Sequence, residues 1–594
     1  MIVNRLKKFR MQMENQKISA YIIPGTDAHQ SEYLPDLWKR REYISGFTGS
    51  AGDVVVTEKS AGLWTDGRYY AQASQQLTGS GIDLYRASEK ETPNIPQFLV
   101  QNLKEGDVVG IDPTTFSYDQ LILLKKDLGQ NGLKISLSED NLVDSIWTDQ
   151  PSLPGFPIKV HSLRFAGESV ESKLQRLREA MHNSGSNVHI LSALDAIAWL
   201  FNLRGNDVNY NPVFISYAII TLQEARLFAI KDKYTDEIHQ HLAQNVLLYD
   251  YHDFKEELDK INTNSNKVWF DGSSVNYWIA NRLDKCSLYN APSPVIKFKA
   301  IKNETELKGF RECHVRDGVA MVNFLYWLEQ KVPLGKVTEK SAAEKVAFFR
   351  SQQEMFQGPS FATISSYKIH GGIIHYTVTD ESDIPLQPEG IYLIDSGGQY
   401  SDGTTDITRT ISLGEPNSGQ IDNFTRVLMG HINLCMVSFP KGSTGPALDT
   451  ITRLPLWEAG KNFNHGTGHG VGSYLCVHEG PQSINPTKSF SVALEPGMIC
   501  SNEPGFYKDG EYGMRIENLI TVVRDDNRSD KGIEFYKFEN ATLCPIDTRL
   551  LNEDLMSPQQ IQWLNDYHKN IWETLSPLLE DEVKKWLKKV THGM

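Results

Sequence analysis

The chain has 594 residues, 40% of them hydrophobic and 23% charged, with a formal net charge of -14; one hydrophobic core rarely grows that large, so three or more domains are expected. No apolar run approaches the roughly 18 residues that cross a bilayer, which argues against a membrane protein, and the acidic balance offers no basic footprint for nucleic acid. Six cysteines without a CxxC pair read as reduced thiols and predict a cytoplasmic protein.

In chain order, the opening segment has no apolar core of signal-peptide length. Arg5, Lys7, Lys8 and Arg10 could begin a mitochondrial presequence, but Ile2, Leu6, Phe9 and Met13 recur at helical spacing and predict the inner face of a first helix. Residues 1–155 then alternate strand and helix through ISAYIIPG, GDVVVTEKSAGLWTDGRYYAQASQQL and DVVGIDP, an α/β layer. After the proline-rich joint QPSLPGFPIK a second, similar module is expected over 156–302, with the amphipathic ESKLQRLREAMHNSG and the strand-like VHILSAL. APSPVIKFKAIKNETEL closes it. ELKGFRECHVRDGVAMVNFLYWLEQ predicts a long helix opening the last module, 303–594.

That last module holds the chemistry. In IYLIDSGGQYSDGTTDITRT, Asp395 and Asp406 are symmetric about Tyr400 and Ser401, so a hairpin brings them roughly opposite on adjacent strands. In CSNEPGFYKDGEYGMRIENLITV, Glu503 and Glu517 are symmetric about Gly510, and both turns contain Tyr-x-Asp-Gly. Four converging carboxylates raise one another's pKa and need a cation to stay ionised together. Between the hairpins HGTGHGVGSYLCVHEG places His465, His469 and His478 among glycines too dense for a helix, so this is not the helical zinc pair of HExxH. Backbone packed closely around a site, with imidazoles directed inward, is expected instead.

These residues resemble the pita-bread metallopeptidases, the group of methionine aminopeptidase, prolidase, creatinase and aminopeptidase P. The three-module length, DAHQSEY at 27–33, WLFNLRG at 199–205, NPVFISYAII at 211–220 and HGTGHGVG at 465–472 look most like the long cytosolic form of aminopeptidase P. The resemblance implies an α/β (α+β) chain, with two creatinase-like amino-terminal domains and a pita-bread catalytic domain built from two βαβ-like halves. It implies two divalent ions: Asp395 on one, Asp406 and Glu517 bridging, His469 and Glu503 completing the second. By the same resemblance a hydroxide bridging the ions attacks the bond before a penultimate proline. Glu503 serves as general base and His478 donates to the oxyanion. His375 and His465, with His469 beside them, border the substrate pocket, and Arg68 reaches substrate. Arg515 stands two residues before Glu517, where it could orient a bridging carboxylate or join a proton relay. Four carboxylates and one imidazole suit manganese, with zinc or cobalt as alternatives.

A homodimer is implied too, with Trp563, Tyr567 and Trp572 as candidate contacts, although helix packing within the subunit explains the same spacing at least as well. The competing readings are an X-Pro dipeptidase of the prolidase kind and a pita-bread binding module without catalysis. One departure concerns substrate preference: Ser366-Tyr367-Lys368-Ile369-His370-Gly371 is bulkier and more basic than the small Gly/Pro/Asn turn the family carries before IIHY.

Overall fold

The computed structural model of the protein describes residues 1–486, 492–530 and 532–593. The chain divides into two compact units, residues 1–162 with 168–296 and residues 163–167 with 297 onward.

The first unit contains two six-stranded sheets. One comprises β1 (Ala20–Ile23), β2 (Asp53–Thr57), β3 (Ala61–Thr65), β4 (Asp83–Arg86), β5 (Val108–Ile111) and β6 (Lys134–Leu137), in the order β4-β3-β2-β1-β5-β6. The other comprises β7 (Val188–Leu191), β8 (Ser216–Thr221), β9 (Ala225–Ala229), β10 (Leu247–Asp250), β11 (Lys267–Phe270) and β12 (Ser287–Asn290), in the order β10-β9-β8-β7-β11-β12. The second sheet repeats the first strand for strand, including which neighbours run antiparallel and which parallel. β1 and β7 are buried throughout, as central strands covered on both faces must be, and the histidine they enclose, His189 of β7, is hydrogen-bonded to Trp269 O and Ser293 Oγ. The expected first helix is α1 (Ile2–Asn15), which buries Leu6, Phe9 and Met13 while Arg10 Nε donates to Thr57 O at 2.9 Å. The amphipathic stretch of the second module is α2 (Val170–Asn183), started by the Ser169 cap.

The second unit repeats a different device. The expected long helix is α3 (Glu304–Lys331), begun by a capping box of Asn303 and Glu306. It is followed by α4 (Glu339–Ser351), β13 (Ile364–Tyr367), β14 (Ile391–Ser396) and β15 (Ile407–Ser412), the strands in order β13-β14-β15. Then α5 (Ser418–Met436), a short β16 (Ser438–Pro440) and α6 (Gly445–Trp457) lead into β17 (Gly468–Gly470), β18 (Glu479–Ile484), β19 (Ile499–Asn502), β20 (Gly505–Lys508), β21 (Tyr512–Arg515), β22 (Asn518–Asp530) and β23 (Ile533–Asn540). The larger sheet runs β16-β23-β22-β19-β17-β18, and β20 pairs with β21. Each half is therefore a helix pair followed by antiparallel strands. That corrects the expectation of βαβ-like halves, since the strand pairings in this unit are antiparallel among the described residues.

Near the C-terminus come α7 (Pro558–Leu575), whose Leu564, Tyr567 and Ile571 join Phe424, Leu428 and Ile432 of α5 in one core, and α8 (Asp581–Val590), which adds Val583 and Leu587 to it. Trp563 stacks on Tyr567 at 5.1 Å, Tyr567 OH donates to the Thr542 and Cys544 carbonyls, and Trp572 packs on the same core. Tyr567 is thus buried inside the chain, whereas Trp563 and Trp572 are half-buried against the same core.

Three histidines buried in these helices carry a pH dependence. Burial lowers His314 to about 4, His431 to about 3 and His568 to about 4. His568 Nε2 accepts from Ile546 N at 3.1 Å, and His314 Nε2 has no hydrogen-bond partner among the described residues, so a proton on either nitrogen meets no acceptor. Unfolded histidines take up protons near pH 6.5 and these do not, so stability is full above about 6.5 and is lost as pH falls toward about 4. The melting temperature is expected to fall steadily from pH 7 to 5, less steeply in His568→Gln; equal slopes in the two proteins would refute the assignment.

Candidate active site

The second hairpin keeps the register its symmetry implies. Asn502 pairs with Asn518 on one side and Gly505 with Arg515 on the other, which leaves Glu503 and Glu517 facing each other between the two ladders. The first hairpin is offset: Asp395 pairs with Thr408, so Asp406 stands two residues short of a position opposite Asp395. The chain leaves β14 at Gly397, where a Cβ would lie 2.0 Å from Thr405 O, and passes through Gly398–Tyr400 and Gly403–Thr404 in a separate small sheet before β15. The hairpins then lie against each other. Glu517 N donates to Thr408 O at 3.1 Å, and Arg515 N donates to Thr410 Oγ1 at 3.0 Å.

One ligand atom each of Asp406, His469 and Glu517 lie within 4.8 Å of one another. His469 Nδ1 donates to Gly470 O at 3.0 Å, which turns the Nε2 lone pair of the neutral ring toward Asp406 Oδ2 at 3.4 Å and Glu503 Oε1 at 3.9 Å. The glycines make this possible: a Cβ at Gly468 would stand 1.9 Å from Ser501 O, and one at Gly470 would stand 2.3 Å from Glu479 O. Asp395 joins through Arg515, whose Nη2 donates to Asp395 Oδ2 at 2.6 Å and whose Nε donates to Thr408 Oγ1 at 3.0 Å. Thr408 Oγ1 in turn donates to Glu517 Oε2 at 2.8 Å. Arg515 thus pairs directly with Asp395, lies 4.0 Å from Glu503 Oε2, and is linked by hydrogen bonds to the Glu517 carboxylate through Thr408.

The electrostatics are those of a site short of positive charge. Burial, then Glu517, pushes Glu503 up to about 8. Burial and Asp395 raise Asp406, and burial with Asp406 and Asp395 raises Glu517. One oxygen each of Asp395, Asp406 and Glu517 is buried without a hydrogen-bond partner among the described residues. An unpaired buried acceptor costs about 1–3 kcal/mol, more when charged. Orphaned carboxylate oxygens converging beside an imidazole lone pair fit divalent cations, and the oxygen-rich set favours hard or intermediate ions.

Of the other expected residues, His478 sits with its ring 4.3 Å from that of His469, edge to face. His465 Nδ1 donates to Gly466 O, and its Nε2 lies 2.9 Å from the Tyr507 hydroxyl, which accepts from Arg515 Nη1 at 2.6 Å. His375 is half-buried beyond the short helical turn Lys368–Gly372. Arg68 belongs to the first unit, where its guanidinium donates two hydrogen bonds to Asp66 and its backbone N a third.

Three residues absent from the expected set support the site. Tyr507 links His465 to Arg515; it lies in the repeated Tyr-x-Asp-Gly turn, a signal that could have marked it. Arg409 is fully buried and donates to Glu517 O at 2.7 Å, Thr408 O at 2.9 Å and Tyr567 OH at 2.9 Å, fastening β15 to the second hairpin and to α7. Arg453 of α6 pairs with Asp449 and donates to His465 O at 2.6 Å, while Asp449 accepts from Thr467 Oγ1 at 2.8 Å. Thr467 O accepts from Glu503 N at 2.7 Å, so this buried pair holds the HGTGHG backbone against the link between β19 and β20 that carries Glu503.

Comparison with known proteins agrees with this geometry. The pattern of metallopeptidase family M24 matches residues 308–524, and its C-terminal region matches 534–594. The creatinase/prolidase N-terminal domain matches twice, at 5–142 and 149–306. Aminopeptidase P2 of Arabidopsis thaliana is 42% identical, over 96% of this chain and 85% of its own length. The chain belongs to metallopeptidase family M24. Within the family, Xaa-Pro aminopeptidase 1 of Dictyostelium discoideum is 40% identical over 98% of this chain and 94% of its own. The crystal structure of X-prolyl aminopeptidase from Caenorhabditis elegans, a cytosolic enzyme with a di-nuclear active site, superposes with a TM-score of 0.96 at 34% identity over both full chains. A Bacillus anthracis Xaa-Pro dipeptidase shares the fold over 64% of this chain, at a TM-score of 0.52 and 22% identity. The architecture is that of creatinase-like amino-terminal domains followed by an M24 pita-bread domain.

Proposed function

We propose that this M24 member is a metal-dependent Xaa-Pro aminopeptidase, releasing the first residue of peptides with proline in second position. The observation that carries the reading is the convergence of Asp406, His469 and Glu517 with the unpartnered oxygens of Asp395, Asp406 and Glu517. Full-length kinship with X-prolyl aminopeptidases supports it. Two divalent ions held by Asp395, Asp406, His469, Glu503 and Glu517 would supply Lewis acidity and an activated water near neutral pH. Glu503 takes up and passes on a proton as the general base. His478 donates to the substrate carbonyl oxygen as negative charge builds on it. Arg515 holds Asp395 in place, and His375 and His465 line the peptide. A dedicated site suits this bond because an X-Pro amide has no N–H and a fixed ring.

Manganese is the ion proposed, on the oxygen-rich donor set. Three domains, 1–155, 156–302 and 303–594, a homodimer and a cytoplasmic location are proposed on the same footing; the six free thiols support the last, and cell fractionation tests it. Manganese-saturated protein is expected to release arginine from Arg-Pro-Pro and to sediment at twice 67.1 kDa. Cleavage confined to X-Pro dipeptides would make it a dipeptidase instead, a protein that retains no metal and cleaves neither would be a binding module, and a 67.1 kDa species would reject the dimer.

A further inference from the structure

The bulky segment ahead of His375 is tied to one buried acid that no reading above uses. Glu339 opens α4 and has no exposed surface. Its carboxylate accepts from Tyr367 N at 2.6 Å, His370 Nδ1 at 2.9 Å and Tyr376 OH at 3.0 Å. Its own carbonyl accepts from Ser365 Oγ at 2.6 Å. These donors bracket His375: Tyr367 and His370 precede it and Tyr376 follows it directly. The His370 and Tyr376 rings stack at 4.4 Å, and Ile373 N to His370 O and Tyr376 N to Ile373 O close the turns between them.

The opposite side of the segment is equally constrained. A Cβ on Gly371 would stand 2.9 Å from Gly513 N, and one on Gly372 would stand 3.0 Å from Lys508 O, so both glycines press on the β20–β21 hairpin that ends in Arg515. At the start of the turn Lys368 adopts φ +50° and pairs with Glu389, whose carbonyl accepts from Tyr367 OH at 2.7 Å. Through β13, whose Ile364 is the strand partner of Asp395, the same clamp reaches the edge of the metal-ligand cluster. A buried carboxylate is costly unless several donors satisfy it, and here every side-chain donor comes from residues flanking one expected substrate histidine.

We propose that Glu339, acting through His370 and Tyr376, is a positioning residue that fixes the His375 segment against the β20–β21 hairpin and so sets how tightly the peptide substrate is held. The inference rests on the aminopeptidase reading and deepens it. It gives the basic, bulky turn a purpose: His370 supplies a donor that fastens the loop.

The test uses full-length, manganese-saturated protein carrying His370→Ala, Tyr376→Phe or both, with Glu339→Gln as a further variant. Each single change removes one hydrogen bond to a charged acceptor, so KM for Arg-Pro-Pro is expected to rise about 5- to 20-fold while kcat stays within about twofold and metal content is unchanged. The double variant should depart from the product of the singles, because both donors share one acceptor. Trypsin should cut faster after Lys368 in every variant. An unchanged KM overturns the proposal whether or not cleavage at Lys368 accelerates, and so does a variant whose kcat falls with its metal content. The single variants decide the matter even where Glu339→Gln fails to fold. Wild-type turnover is measured first: its absence counts against the aminopeptidase reading, whereas a normal wild type with variants of unaltered KM counts against the clamp alone.

Discussion

Asp406→Ala is expected to lose bound metal and activity together, while the metal-free variant becomes at least as stable as the metal-free wild type. Asp406 supplies one of three ligand atoms gathered within 4.8 Å, and one of its oxygens is buried with no hydrogen-bond partner among the described residues. Burial and the Asp395 charge raise its pKa. An acid whose folded pKa is raised stabilises the protein below its unfolded pKa, and that contribution is lost as pH rises through the folded value. At pH 8 without metal the wild-type chain therefore carries crowded carboxylates that resist ionisation, and the alanine relieves part of that cost. With metal the sign reverses, because ions that bind the folded state alone stabilise it by mass action and the variant forfeits that gain. Melting curves with and without manganese should cross over between the two proteins, and kcat/KM should fall by about 10³ or more, as for residues that act as a unit. A variant holding two ions at full activity would remove Asp406 from the ligand set.

What the sequence disclosed, and what it hid, follows from how local each feature is. The Glu503/Glu517 register was legible because the two antiparallel ladders on either side of the pair, β20–β21 and β19–β22, keep one register centred on Gly510. Asp395 and Asp406 looked equally symmetric, yet a strand excursion at Gly397 shifts them by two residues. The shared Tyr-x-Asp-Gly turn likewise conceals two uses of its tyrosine. Tyr507 links His465 and Arg515, whereas Tyr400 OH donates to Asp317, which is paired with buried Arg350. Arg409, Arg453 and Glu339 were not legible at all. Their partners lie up to 158 residues away in sequence, and nothing in the local pattern distinguishes a buried arginine with satisfied donors from an exposed one. Such contacts depend on tertiary packing, which composition and periodicity do not encode.

His478→Ala is expected to keep both ions and lose kcat by about 10² to 10³, the cost of removing one donor to a developing oxyanion. The His478 ring lies edge to face with His469 at 4.3 Å, next to the gathered ligand atoms, yet that group comprises Asp406, His469 and Glu517 without it. The adjoining residue explains how such a donor is held still. Glu479 is buried and clamped between Lys299, at 2.9 Å, and Lys302, so the backbone just after His478 is anchored by charges that have left water. A pre-aimed donor contributes to the transition state without reorganising, so the loss should fall on kcat more than on KM. His478→Gln, which retains an N–H of similar reach, should recover part of the rate that alanine loses. Metal analysis beside steady-state kinetics separates the roles: fewer ions in His478→Ala would make the histidine a support for the metals, and wild-type turnover would leave it no part in the reaction.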